Sequence, residues 1–170
     1  MIVGPQLYIF GGLPGCGKTT VARELAAVTG ACHLRIDTIE QALIRTGLCT
    51  AATLEGNGYL IAVEIAADQL KNHLSVIADC VNPLELTRNW WRQAAAAAGC
   101  RAVEVEFICS NAELHRLRAE TRTTDIPGMK LPEWEEILRR EYECWRHPHL
   151  VIDTATTSVS EAVELLIGCR

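Results

Sequence analysis

The fold of this chain is decided by the stretch "GLPGCGKT", residues 12–19, which fits the pattern G-x-x-x-x-G-K-[ST] at every fixed position. A glycine-rich loop of this kind surrounds a phosphate group with inward-pointing backbone N–H groups, in conformations that side chains would block. The lysine can reach the terminal phosphates of a nucleotide, and the hydroxyl that follows it can bind Mg²⁺. The motif therefore predicts binding of ATP or GTP with Mg²⁺.

The segments on either side of this loop supply the context that the motif requires. An apolar run at residues 6–12, "QLYIFGG", is typical of a strand buried on both faces. Residues 18–29 have helical apolar spacing, and Gly30 ends that helix. We expect Thr19 to bind the metal. The predicted nucleotide contacts are Gly12, Leu13, Pro14, Gly15, Cys16, Gly17, Lys18, Thr19 and Thr20.

The composition indicates one globular domain over residues 1–170, with 49% hydrophobic and 22% charged residues. The net charge of −5 gives no general attraction to nucleic acid or to an anionic membrane. The 8 cysteines form no C-x-x-C pair, and no apolar run approaches the ~20 residues of a membrane span. We expect a reduced, cytoplasmic protein without membrane association, either a monomer or a homodimer.

Strand and helix patterns alternate along the rest of the chain. The predicted strands are residues 6–12, 32–37, 74–80, 101–110 and 149–154. Apolar strands that alternate with helices predict an α/β fold with a parallel sheet. Two of the predicted helices, residues 111–124 and residues 132–145, flank a "DIPGM" breaker.

Two aspartates lie at the ends of predicted strands, Asp37 in the second and Asp79 in the third. Ligands of open parallel sheets lie at the carboxyl ends of the strands, so both carboxylates should face the glycine-rich loop. One of them can hold Mg²⁺, and the other can accept the proton of an attacking hydroxyl. Asp37 could instead be only a helix N-cap. Beside a complete phosphate loop, we favour Asp37 as the base and Asp79 as a ligand of the metal or the acceptor.

Two further features of the sequence argue for a hydroxyl acceptor rather than water. Asp79 is followed by Cys80, not by an acidic residue that could activate water, and no N-K-x-D guanine signature is present. The charged helix carries Arg118 and Arg122, which are four residues apart and so share one face. We expect residues 111–131 to form a mobile lid whose arginines bind the transferred phosphoryl group. A solvated basic face is the alternative.

Together these motifs resemble the small P-loop kinases, in particular the chloramphenicol phosphotransferase-like kinases and the kinase domain of polynucleotide 5′-kinases. "RIDTIEQAL" is similar to the segment in which the chloramphenicol kinases carry their base, which falls on Asp37. "DCVNPLELTR" resembles the third-strand segment of the polynucleotide kinases, whose acidic residue falls on Asp79. Their lid arginines fall on Arg118 and Arg122.

The resemblance implies a three-layer α/β/α fold with five parallel strands in the order 2-3-1-4-5. It also implies transfer of the γ-phosphoryl group of ATP to a hydroxyl. The sequence departs from the polynucleotide kinases where they place a phosphate-binding arginine just after the base. That region here reads Thr38-Ile39-Glu40, and an acidic Glu40 would repel a nucleic-acid phosphate.

The predicted acceptor is therefore a small molecule, neutral or cationic, and we expect Asp37, Asp79, Glu40 and Tyr59 to contact it. Tyr59 follows a loop, residues 48–58, whose polar side chains are further candidates for such contacts. Two alternatives stay open. One is a polynucleotide 5′-hydroxyl kinase, and the other is a nucleotide-dependent switch or adaptor without a metabolite acceptor.

Overall fold

The computed structural model describes residues 4–169. Within that range the strands are β1 (Gln6–Gly11), β2 (Cys32–Arg35), β3 (Val76–Asp79), β4 (Arg101–Ile108) and β5 (Leu150–Asp153). The helices are α1 (Lys18–Thr29), α2 (Ile36–Arg45), α3 (Asn57–Lys71), α4 (Glu85–Ala97), α5 (Ala112–Thr121), α6 (Trp134–Arg139) and α7 (Val159–Gly168).

The five strands form one sheet in the order β2-β3-β1-β4-β5, and all neighbouring strands are parallel. The α/β fold and the strand order implied by the resemblance are confirmed. Every residue of β1 is buried, as its continuous apolar run requires of a central strand. From β1 the chain passes to β2 at one edge of the sheet and returns through β3 to the position beside β1. It then crosses to β4 on the other side of β1. The crevice at this switch point lies beyond the carboxyl end of β1.

Helices cover both faces of the sheet, which gives the predicted three layers. Tyr8 and Phe10 of β1 pack on the face covered by α1 and α7. Leu7 and Ile9, which alternate with them, pack on the face covered by α3 and α4. None of the helices between residues 4 and 169 has the length and apolar character needed to cross a membrane.

The boundary between β2 and α2 differs from the prediction. The second strand ends at Arg35, and α2 begins at Ile36, so Asp37 lies in the first helical turn rather than at the strand end. Arg35 occupies the N-cap position, which means that Asp37 is not the N-cap either. In the first turn its carboxylate is still held at the carboxyl edge of the sheet and interacts favourably with the helix dipole.

The helix predicted over residues 132–145 is wrong in its length, because α6 ends at Arg139. The reason is a set of long-range hydrogen bonds made by Glu143. Its backbone N–H donates to the carbonyl of Pro83 at 2.8 Å, and its carbonyl accepts from the buried Arg88 at 2.7 Å. These contacts hold Glu143 against the loop between β3 and α4. Its backbone N–H and carbonyl are therefore not available for the hydrogen bonds of a continued helix.

Candidate active site

A large cavity of about 1250 Å³ lies at the carboxyl ends of the strands. It runs from the loop after β5, residues 154–158, to the start of α2 after β2. We call these two regions the β5 end and the β2 end. Since β5 and β2 are the outer strands of the sheet, the loop that follows the central β1 lies between the two ends. Pockets for one small ligand measure roughly 300–1,000 Å³, so this cavity has room for two ligands.

The loop after β1 has the backbone conformation that a phosphate cradle needs. Gly12 and Gly17 have φ values of 131° and 89°, in the left-handed region that favours glycine. A Cβ atom on Gly12 would lie 2.2 Å from the carbonyl oxygen of Phe107, so a side chain could not be accommodated there. Gly17 is the N-cap of α1, whose first N–H groups and dipole favour an anion at this position.

Lys18 lies beneath this loop and is buried. Its Nζ donates hydrogen bonds to the carbonyl oxygens of Gly12 and Leu13, at 2.8 and 2.9 Å. Cys16 is also buried, with its Sγ 3.5 Å from the same Nζ. Thr19 and Thr20 follow and line the cavity. Neutral carbonyls compensate a buried ammonium only in part, so the loop is suited to an anionic ligand.

Asp79 is the last residue of β3, as predicted, and it is buried at the cavity wall. His33 of the neighbouring β2 lies against it, with His33 Nε2 2.9 Å from Asp79 Oδ2. The parallel register places Arg35 beside Asp79, and His33 two residues earlier is on the same side of β2. No motif in the sequence indicates this pair, because the pairing depends on the register of two strands that are far apart in the chain.

Asp37 lines the same cavity as Asp79, so the structure brings the two predicted carboxylates together. Burial raises the pKa of Asp37, and the Asp79 carboxylate raises it further. The positive charges of Lys18, Arg35 and Arg122 lower the pKa of Asp37. A carboxylate whose pKa is raised holds a transferred proton better than an ordinary aspartate does.

Glu40 lies one helical turn after Asp37 and also lines the cavity. Burial and the Asp37 carboxylate raise the pKa of Glu40 to about 7, while Arg140 acts to lower it. The side chain of Glu40 packs on α3, because a Cβ atom added to Gly58 would lie 2.4 Å from Glu40 Cγ. Glu40 is therefore a carboxyl group held close to Asp37 and to the positive charge of Arg140.

Tyr59 is in a different position from the other predicted acceptor contacts. Its hydroxyl accepts a hydrogen bond from the backbone N–H of Asn82 at 3.1 Å, and its ring packs on the core between α3 and the sheet. Burial raises the pKa of this hydroxyl well above its usual range. Tyr59 is not among the cavity-lining residues, but it lies close enough to Glu40 and Asp37 for both carboxylates to raise the pKa of its hydroxyl further.

The two predicted arginines lie in different surroundings. Arg118 donates from Nη1 to the hydroxyl of Thr154 at 2.9 Å and from Nη2 to the Thr154 carbonyl at 3.2 Å, which places it at the β5 end. Arg122 follows α5 at its C-cap, and its Nε and Nη2 atoms are buried without a hydrogen-bond partner. Burial lowers the pKa of Arg122, whereas the nearby Asp37 raises it.

The segment after α5 is joined to the rest of the cavity by contacts that no motif indicated. The Asp125 carboxylate accepts a hydrogen bond from Arg35 Nη1 at 2.6 Å and also pairs with Arg23 of α1. On α5 itself, His115 Nε2 lies 2.9 Å from the Pro14 carbonyl oxygen. Residues of the predicted lid therefore contact α1, the end of β2 and the phosphate loop.

The sequence profile of the AAA domain family matches residues 7–140. The chain belongs to this family. A curated relative of this AAA domain protein is the probable adenylyl-sulfate kinase of Aeropyrum pernix, which is 27% identical over 161 residues, covering 91% of this chain and 86% of that protein.

Three solved structures share the fold of this AAA domain protein. The Mycobacterium tuberculosis APS kinase CysC in complex with AMPPNP and APS has a TM-score of 0.72 at 20% identity, with 98% of this chain and 97% of that chain covered. Chaetomium thermophilum Kti12 in complex with ADP-AlF3 has a TM-score of 0.68 at 19% identity, with 95% of this chain and 97% of that chain covered. A gluconokinase from Sinorhizobium meliloti has a TM-score of 0.63 at 18% identity, with 95% of this chain and 89% of that chain covered. The resemblance to the small P-loop kinases is thereby confirmed at the level of the fold.

Proposed function

We propose that this protein is an ATP-dependent kinase that transfers the γ-phosphoryl group of ATP to a hydroxyl group of a small molecule. The observation that carries the proposal is the position of Asp37, a carboxylate of raised pKa in the same cavity as the phosphate loop. The size of the cavity, about 1250 Å³, supports a second ligand beside the nucleotide. The names of the relatives, adenylyl-sulfate kinase and gluconokinase, agree with this reaction class.

The residues of the central loop fit a nucleotide. The loop amides and Lys18 would hold the phosphates. Arg118, which the sequence led us to expect at the transferred phosphoryl group, is bonded to Thr154 at the β5 end and would instead lie near the nucleoside. The Thr19 hydroxyl and the Asp79 carboxylate supply the oxygen ligands that Mg²⁺ prefers. His33 would keep the Asp79 carboxylate in its orientation. When bound, Mg²⁺ neutralises negative charge on the phosphate oxygens.

In the transfer step, the acceptor oxygen forms a bond to the γ-phosphorus, and the bond from that phosphorus to the bridging oxygen breaks. ADP leaves with the bonding electrons, and Asp37 takes the proton of the acceptor hydroxyl. Arg122 has unpartnered N–H groups with which to stabilise charge on the transferred group. We assign residues 111–131 as the lid that excludes water during transfer.

The test is a measurement of ADP release from MgATP with a panel of hydroxyl compounds. The panel contains adenylyl sulfate, gluconate, chloramphenicol, neutral sugars and an oligonucleotide with a 5′-hydroxyl. We expect release that depends on a small acceptor and is lost in Lys18→Ala. The matched control is Lys71→Ala on α3, whose side chain is largely exposed.

Two results would contradict this function and favour the alternatives. Transfer to the oligonucleotide alone, falling steeply with salt, would indicate a polynucleotide kinase. Tight ATP binding without transfer to any member of the panel would indicate a nucleotide-dependent switch or adaptor.

A further inference from the structure

Three arginines from three different elements line the β2 end of the cavity. Arg35 is the N-cap of α2, Arg122 follows α5, and Arg140 follows α6. Burial lowers the pKa of Arg122 most and the Asp37 carboxylate raises it, while Arg140 and Arg35 lower it further, as neighbouring positive charges do. Bringing like charges together in one cavity costs free energy unless a negative charge lies between them.

The hydrogen-bonding capacity of these arginines is only partly used by the protein. Arg35 Nε and two nitrogen atoms of Arg122 are buried without a partner. Across residues 4–169, Arg140 has neither an ion pair nor a side-chain hydrogen bond, and the carboxylate paired with Arg35 belongs to Asp125. The unpartnered nitrogen atoms of Arg35 and Arg122 are buried, and buried donors without an acceptor are costly, so this end of the cavity is suited to an anionic ligand.

The nucleotide accounts for only part of this positive charge. Its phosphates would lie on the loop amides, with Lys18 beneath and Arg122 beside them. Arg118 is bonded to Thr154 at the β5 end. Arg35 and Arg140 remain, at the opposite end from Thr154 and close to Asp37 and Glu40. These two arginines therefore face the region of the acceptor rather than that of the nucleoside.

We propose that the acceptor carries, beside its reacting hydroxyl, an anionic group that binds between Arg35 and Arg140. This inference rests on the proposed function, because it describes the second substrate of that reaction. The group is a phosphate, sulfate or carboxylate, since the planar guanidinium can donate two parallel hydrogen bonds to each of them. Binding there holds the acceptor at the end of the cavity where Asp37 can take the proton of its hydroxyl.

The acidic residue Glu40 is the reason that the sequence alone favours a neutral or cationic acceptor. In the folded chain burial raises the pKa of Glu40 to about 7. Near neutral pH a large part of this carboxyl is protonated, which removes much of its repulsion for an anion. The protonated form can also donate a hydrogen bond to an anionic oxygen. The local positive charge of Arg35 and Arg140 then outweighs the overall charge of −5.

The experiment compares pairs of compounds that differ in an anionic group. The pairs are gluconate with glucose, adenylyl sulfate with adenosine, and glycerol 3-phosphate with glycerol. Binding is measured by thermal shift with the nucleotide site saturated by AMPPNP and Mg²⁺, and ADP release is measured with MgATP. We expect an anionic compound to bind and its neutral counterpart to fail.

The variants Arg35→Gln and Arg140→Gln should weaken binding of that anionic compound about 10- to 100-fold. Arg139→Gln is the matched control, because Arg139 is exposed and does not line the cavity. Arg140 is exposed at the end of α6, so its variant is not expected to disturb folding even if Arg35→Gln loosens the pairing with Asp125.

Three results would overturn the proposal: no anionic compound binds, the neutral counterpart binds equally well, or both arginine variants bind like the wild type. The two proposals can fail separately. Arginine-dependent binding of an anionic compound without ADP release would retain the anion site and refute the kinase. Efficient phosphorylation of a neutral compound, unchanged in Arg140→Gln, would retain the kinase and refute the anion site.

Discussion

At the scale of single residues, Asp37 is the group on which the proposed chemistry depends. Asp37→Asn keeps the size of the side chain and removes its ability to accept a proton. We expect ADP release in the presence of an acceptor to fall about 10²- to 10⁴-fold, because a general base contributes that much to the rate. AMPPNP affinity, measured by calorimetry, should stay within a few-fold of the wild type.

The matched control for this variant is Asp68→Asn, a carboxylate on α3 that is 74% exposed and far from the proposed chemistry. It should leave both the rate and the affinity unchanged. A rate for Asp37→Asn equal to that of the wild type would show that another group takes the proton. A large loss of AMPPNP affinity would instead assign Asp37 to the nucleotide or its metal.

Glu40 makes the stability of the protein depend on pH in a direction opposite to that of an ordinary surface carboxylate. Burial raises its pKa from the usual 4.5 to about 7. Between these values the folded chain binds more protons at Glu40 than the unfolded chain does. The free energy of unfolding therefore falls as the pH rises through this window, by about 1–3 kcal/mol from this group.

Glu40→Gln should remove that contribution, because glutamine resembles the protonated carboxyl in shape and cannot ionise. We expect the variant to be more stable than the wild type near pH 8 and equal to it near pH 4, in urea unfolding measured across this range. Glu64→Gln, an exposed carboxylate on α3, is the control for loss of one charge. A difference between variant and wild type that does not change with pH would refute the assignment.

At the scale of elements, the sequence predicts well what neighbouring residues determine. The apolar run of β1, the glycines after it and the helical spacing of α1 are all local signals, and the structure has each of them in place. The end of α6 could not be predicted in this way. It depends on Glu143 contacting Pro83 and Arg88, residues more than fifty positions earlier in the chain.

The same distinction holds for the candidate site. Asp37 and Asp79 were found because the carboxyl ends of parallel strands meet at one edge, whatever the details of the loops. His33, Arg35 and Arg140 were missed as site residues because their positions depend on strand register and on where α6 ends. No periodicity or motif in the sequence encodes those two properties.

The packing of α2 on α3 gives a prediction at this scale. A Cβ atom on Gly58 of α3 would lie 2.4 Å from Glu40 Cγ, so Gly58→Ala must displace Glu40 or separate the helices. We expect a net loss of unfolding free energy, because overpacking costs about 1–3 kcal/mol and alanine recovers up to about 1 kcal/mol of helix propensity. Urea unfolding measures the change.

Gly168→Ala in α7 is the matched control, since nothing lies within 4 Å of its added Cβ atom. That substitution should be neutral or stabilising by up to about 1 kcal/mol. Equal effects of the two substitutions would mean that the contact between Gly58 and Glu40 does not constrain the helices.

At the scale of the whole molecule, the strand order separates the two ligands of the proposed reaction. The loop after β5 and the start of α2 lie at opposite edges of the sheet, and the phosphate loop after the central β1 lies between them. A triphosphate placed along that loop therefore has its nucleoside on one side and its terminal phosphoryl group on the other. Asp37 and Glu40 lie on that second side.

This arrangement makes nucleotide binding a property of the whole fold, because the loop, α1 and the loop after β5 must all be in place. AMPPNP with Mg²⁺ at about 100 times its Kd should raise the free energy of unfolding by about 2.7 kcal/mol. For a chain of this size the melting temperature should rise by about 5–10 °C. Lys18→Ala should lose most of this shift, measured against its own ligand-free melting temperature, because the buried ammonium lies beneath the loop that would hold the phosphates. Lys71→Ala should retain the shift, and a full shift in Lys18→Ala would mean that the nucleotide binds elsewhere.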